Sequence, residues 1–284
     1  DLVVAVTEGG ETPFVIGTVW EALDAGAEAF FVFNNPADLL RQRVERSRQI
    51  IDEPRIVKLD LTTGPMAVTG STRMQATTSE LLVLGAAMEM ALAELHGEPA
   101  APAEEYIHRF EAIRVALGTA DSVAELVRRV ELEESIYAAR GRGTYLADAA
   151  LLDILTDTTE RSPTFMIPPF RMYGYTCSPG AWSCCKHPLL PTSQAWEAML
   201  ARPIRAVSWS ADDYAQLDAP DAIRQRPPDL SADAIRRFRI GREPDDSRTM
   251  VDSTLILILT SADAARENEL LAAFDMQRRR YQRH

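Results

Sequence analysis

Basic side chains are scarce in this chain, and lysine is nearly missing. Against 42 aspartates and glutamates stand 30 lysines and arginines, for a formal net charge of −12. Phosphate-backbone binding draws on basic residues that release counterions, so nucleic acid is not an expected partner. Lys58 and Lys186 are the only lysines, which confines any Schiff-base chemistry to two positions. Cysteine is scarce too: Cys177, Cys184 and Cys185, with His187 close behind. These are zinc-ligand types, but the spacing fits no common zinc pattern and adjacent cysteines seldom both reach one ion. They read as ordinary loop residues of a reduced chain, and no metal is expected. Long hydrophobic runs are lacking as well. The strongest, around 81–92 and 255–259, are short of a membrane span or broken by Glu89. No basic start with a small-residue cleavage site marks a secretory leader. The expectation is a cytoplasmic chain with no membrane partner.

What the 284 residues do contain is the usual globular mixture, 46% hydrophobic and 25% charged, in a length suited to one large domain or two ordinary ones. Residues 2–6 form a continuous apolar run, as expected of a strand covered on both faces. A turn of small and acidic residues follows, Thr7 to Thr12, with Pro13 placed to open a helix. Residues 29–33 are the next buried strand, closed by Asn34-Asn35-Pro36. One helix over about 39–51 and a strand at 55–61 come next, then a second turn, Thr69 to Thr72, and a long apolar helix to about 95. This βαβαβα order implies a parallel sheet with helices on both faces. A Pro/Ala/Glu linker at 97–103 leads to two amphipathic helices, about 104–117 and 122–139, the second capped by Asp121 or Ser122. The α/β rhythm then restarts with a short strand at 144–147 and a helix from 151. Short helices at 193–201 and 232–238 interrupt a proline- and aromatic-rich stretch. A plain strand at 254–260 precedes a terminal helix capped around Asp263.

Four segments carry a resemblance. The opening DLVVAVTEGGETPFVIG is similar to the sugar-phosphate strand–loop–helix of sugar-isomerase (SIS) domains. GPMAVTGSTRM at 64–74 resembles the signature of one branch of that family, that of N-acetylmuramic acid 6-phosphate etherase and the glucokinase regulatory protein. DTTERSPTF at 157–165 resembles the etherase's glutamate-bearing stretch, and 251–263 a strand and turn of the regulatory protein's second domain. The resemblance implies an α/β fold of parallel-sheet, three-layer αβα (flavodoxin-like) units in tandem. Their expected bounds are 1–95 for a first domain, 96–140 for a helical linker and 141–284 for a second. It further implies that the strand, loop and helix opening the first domain precede Asp1, and that the second domain is incomplete.

The chemistry follows from the same segments. The resemblance places a sugar or sugar phosphate against Thr7, Glu8, Gly9, Gly10 and Thr12, and against Ser71, Thr72 and Arg73. There, hydroxyls, backbone N–H groups and a guanidinium at helix starts suit an anion. Glu8 and Glu11 set carboxylates beside that anion and oppose it. The loop therefore binds a sugar through hydroxyls, or binds a phosphate weakly, or is a bare Gly-Gly turn. Ser71 or Thr72 would serve equally as a helix cap with an ordinary surface arginine beside it. Glu160 matches the etherase's acid, a carboxyl able to donate a proton to a leaving oxygen; alternatively it pairs with Arg161 at a helix end. No cofactor is implied. The expected function is carbohydrate-derivative binding, with a protein partner if the role is regulatory. The enzymatic alternatives are an etherase-like lyase and a phosphosugar aldose–ketose isomerase.

Overall fold

A computed structural model describes residues 1–68, 71–72, 74–159, 168–174, 181–244, 253–259 and 263–281. The chain divides into two compact units, Asp1–Val123 and Ala124–His284. Each holds a three-stranded parallel sheet with flanking helices, an α/β arrangement.

In the first unit, β1 (Leu2–Val6), β2 (Glu28–Phe33) and β3 (Ile56–Asp60) pair in that order, with Val4 opposite Phe30 and Phe31 opposite Lys58. Crossovers through helices join parallel neighbours. Here they are α1 (Pro13–Asp24) and the pair α2 (Ala37–Arg43) and α3 (Glu45–Asp52). Ile16 and Val19 of α1 and Ile50 and Ile51 of α3 close over Ala5, Ala29, Phe31 and Phe33. The run 2–6 is not covered on both faces as its apolarity implied. Only Ala5 is buried, and Leu2, Val4 and Val6, which share one face of the strand, stay open because α1 packs on the other. The helix expected over 39–51 is two helices. Val44 between them is extended (φ −131°) and turns its side chain into the core, a conformation that suits a β-branched residue.

α4 (Gln75–His96) ends where Gly97 takes a left-handed φ of 70° and its N–H returns to Ala93 and Glu94. Among the described residues it is the one helix long and apolar enough to cross a bilayer. Its first turns are tied to the sheet end by the polar contacts described below. α5 (Ala103–Leu117) follows, then α6 (Ala120–Ala138). The cap of α6 is neither Asp121 nor Ser122. The Thr119 hydroxyl accepts from the Ser122 N–H at 3.3 Å, placing the N-terminal boundary earlier than the sequence pattern indicated.

The second unit orders its strands β5-β4-β6, with β4 (Arg142–Leu146) central, β5 (Ser183–Lys186) on one side and β6 (Ser253–Leu257) on the other. α7 (Leu151–Thr159) packs on β5, and α8 (Thr192–Leu200) joins the core through Ala195 and Trp196. Short helices α9 (Ala211–Gln216), α10 (Asp221–Gln225) and α11 (Ala232–Arg236) and the long α12 (Ala264–Tyr281) complete the unit. Ser210 and Ser231 accept backbone N–H bonds as caps of α9 and α11. Asp263 accepts from Ala265 N–H at 2.9 Å at the head of α12.

Cys184 and Cys185, expected in a loop, form the middle of β5 and are buried. Successive side chains of a strand point to opposite faces, which rules the pair out as ligands of one ion. Burial pushes the Cys185 thiol up to about 12, so it stays a neutral core residue. Next in the strand, Lys186 is buried and gives its ammonium to the carbonyls of Glu243 (2.7 Å), Gly241 (3.2 Å) and Arg239 (3.4 Å). Its amine is thus a strut across the unit rather than a free nucleophile. Lys58 likewise donates to the carbonyls of Glu53 and Ile56. Replacing Lys186 with methionine leaves buried acceptors unpaired, and a loss of about 3 kcal/mol in urea unfolding is expected.

Candidate functional site

The carboxyl ends of β1 and β2 meet the head of α4, where parallel α/β sheets place their ligands. β1 runs into Thr7, whose N–H still pairs with Val32 O at 3.0 Å. The chain then turns tightly: Gly10 N–H returns to Thr7 O at 3.0 Å with Gly10 at φ 70°. Glycine is needed here, since a Cβ would stand 2.5 Å from Leu40 Cδ1 and 3.3 Å from Phe33 Cβ. The loop's carbonyls are held from outside by Asn35 on Gly9 (3.0 Å), Ser47 on Gly10 (2.7 Å) and Arg46 on Glu11 (2.6 Å). The loop is therefore fixed in advance of any ligand.

Thr7 and Thr12 share a hydroxyl hydrogen bond of 2.8 Å. Thr12 stands at the N-cap of α1 without capping it, because its hydroxyl is turned to Thr7. Glu8 accepts from Thr77 at 2.8 Å and from Thr72 at 3.4 Å. The two expected loops are thus joined through the Glu8 carboxylate. Ser71 is 4% exposed, and its hydroxyl has no hydrogen-bond partner among the described residues. Arg73 and Glu160 lie outside the described residues, as do Thr69, Gly70 and Cys177.

Behind Glu8 is a group that sequence reasoning missed. Asn34 donates to Glu80 at 2.7 Å and accepts from the Ser79 hydroxyl at 2.7 Å. Glu80 is 7% exposed on α4. Burial first, and then the nearby Glu8 charge, push its carboxyl up to about 7, against the opposing effect of the Asn34 bond. The crevice thus pairs Glu8 with a second carboxyl that holds or releases a proton near neutrality. The available signal was Thr77, Ser79 and Glu80 interrupting an otherwise apolar helix just after a hydroxyl-rich turn.

In the second unit the loop after β4 carries no hydroxyls, and Asp148 fills it. Its carboxylate pairs with Arg266 of α12 at 3.0 Å. Burial alone would raise the Asp148 pKa, but the Ala149 N–H and Arg266 outweigh it and hold the carboxyl below its usual range. His187 follows β5, buried, with Nδ1 accepting from Leu189 and Leu190 N–H at 3.1 Å each. Burial foremost lowers its pKa, and the neutral ring carries its proton on Nε2. Of the thiol–imidazole group considered from sequence, the described members are separately engaged in the core.

No family model matches the chain. Among curated proteins the chain has a definite likeness. It is to N-acetylmuramic acid 6-phosphate etherases. The Clostridium acetobutylicum protein of that name is 36% identical over 84 residues, 30% of this chain and 24% of the relative. That of Thermobifida fusca is 34% identical over 86 residues, 30% and 25% of the two chains. That of Actinobacillus pleuropneumoniae is 32% identical over 84 residues, with 30% and 24% covered. The chain matches about a quarter of the length of these etherases.

Proposed function

We propose that this chain binds a carbohydrate derivative, a sugar or sugar phosphate, in the crevice of its first unit, as a protein of the sugar-isomerase class. The carrying observation is the convergence of Thr7, Thr12 and Thr72 on one strand-end crevice, beside the buried Ser71, whose hydroxyl has no partner among the described residues. Partial likeness to etherases supports a phosphosugar as the ligand class. Two tandem units, 1–95 and 141–284 about a helical connector at 96–140, belong to the same proposal. So do a cytoplasmic setting and a regulatory role in which ligand occupancy alters a partner protein. Arg73 is assigned to the ligand's anionic group and Glu160 to acid chemistry.

An enzyme, either an etherase-like lyase or an aldose–ketose isomerase, is the alternative. Glu80 favours it: a buried carboxyl near neutrality in a sugar crevice is suited to moving a proton next to a carbonyl. Calorimetric titration of fructose 6-phosphate and N-acetylmuramate 6-phosphate tests binding, and turnover of either tests the enzyme. Because Glu8 holds Thr72 and Thr77 and repels a phosphate, Glu8→Gln is expected to tighten hexose 6-phosphate binding about tenfold. Unchanged or weaker binding in that variant places the phosphate elsewhere.

A further inference from the structure

The second unit holds a cavity that the first unit's crevice does not explain. It measures about 340 Å³ and is lined by Glu133, Tyr137, Tyr145, Asp157 and Ile258 among others, within the range of roughly 300–1,000 Å³ usual for small-ligand sites. Its polar groups are arranged around one carboxylate. Glu133 Oε1 accepts from the Tyr137 hydroxyl at 2.9 Å and from the Tyr145 hydroxyl. Both donors come from fixed elements, α6 and the central strand β4. Burial foremost, and then the bond to Glu133, raise the Tyr145 pKa, so that phenol remains a donor. The Tyr137 ring lies against Trp182, centroids 5.2 Å apart. Gly143 makes room for this arrangement, since a Cβ there would come within 2.7 Å of the Tyr137 hydroxyl.

We infer that this cavity is a binding site for a small protonated amine of hexose size, separate from the crevice of the first unit. The charge of the lining selects the ligand. Glu133 presents a carboxylate to the space, and neither lysine nor arginine is among its described lining residues, so a phosphate or carboxylate would meet repulsion there. Both tyrosines are on Oε1, which leaves Oε2 of Glu133 free of hydrogen bonds to the described residues. A carboxylate held by two donors keeps its position when a cation arrives, and charge-assisted bonds to such a group are the strong ones. Tyrosine ring faces and Ile258 supply the contacts for the carbon skeleton, and aromatic faces also attract cations.

The test is calorimetric titration of the whole chain with glucosamine, with glucose, and with glucosamine 6-phosphate. Glucosamine is expected to bind at least about tenfold more tightly than glucose. Glu133→Gln keeps an acceptor for both tyrosines and removes the charge; it is expected to weaken glucosamine about tenfold or more. Ile258→Trp fills the space and is expected to abolish it. Thermal melts identify which variant folds as the parent, and either one then decides. Glucosamine 6-phosphate binding that survives both variants belongs to the first unit and leaves this site to be judged on glucosamine alone. No glucosamine binding, glucose binding equal to it, or glucosamine binding untouched by a folded variant overturns the inference.

Discussion

Gly241→Ala is expected to destabilise the second unit by about 4 kcal/mol, at the severe end of single substitutions. Gly241 lies against the head of α8, and a Cβ there would stand 2.1 Å from Thr192 N and 2.5 Å from Pro191 C, both backbone atoms. Neither can yield without opening the network around it. Gly241 N–H donates to Thr192 Oγ1 at 3.0 Å, while Thr192 donates to Glu243 through N–H at 2.7 Å and its hydroxyl at 2.8 Å. Gly241 O also receives Lys186. One methyl group would therefore disturb the helix head, the buried lysine and the Glu243 carboxylate together. Urea unfolding followed by tryptophan fluorescence reads the loss, since Trp196 is buried in the adjacent core with Nε1 on Phe238 O. Gly85→Ala in α4 is the contrasting control: its Cβ meets nothing within 4 Å, and a gain of about 0.5–1 kcal/mol is expected from helix propensity. A mild effect at Gly241 would show that the segment around it packs loosely against the head of α8.

Glu80→Gln is expected to make the chain more stable at alkaline pH and to leave it unchanged in acid. The folded carboxyl titrates at about 7 instead of 4.5. Between those values the folded state keeps a proton that the unfolded chain has released, so stability falls as pH rises through that window and levels off above it, once the folded carboxyl has also ionised. The shift corresponds to roughly 3 kcal/mol. Glutamine keeps an acceptor for Asn34 and cannot ionise, so the difference in melting temperature should open from about pH 4.5 and level off above 7. Glu8→Gln should shift the transition to lower pH, because the Glu8 charge helps to raise the Glu80 pKa. A variant whose advantage is flat with pH would mean that Glu80 ionises normally in the fold.

The α/β class was legible because buried parallel strands carry continuous apolar runs. Residues 29–33 and 254–260 announced β2 and β6, and Pro13 marked the start of α1. β5 was not legible. Four residues, Ser-Cys-Cys-Lys, carry no strand signature, and Lys186 is buried only because three carbonyls some 53–57 residues later receive it. The break at Val44 was hidden because apolar spacing continues across it. At the candidate site, the loop of Thr7 to Thr12 and the pair Ser71 and Thr72 were readable as hydroxyl-bearing helix starts. That Glu8 would bridge them depends on contacts 64 and 69 residues apart. The Glu80–Asn34 bond spans 46 residues and likewise exists only in the fold.

The most direct test is a crystal of the whole chain soaked with a hexose 6-phosphate. The expected density lies against residues 7–12 and Ser71–Thr72, with the Ser71 hydroxyl gaining a partner and the Thr7–Thr12 hydrogen bond broken or redirected. Density confined to another part of the chain, with the Thr7, Glu8 and Thr72 contacts unaltered, would contradict the proposed sugar crevice.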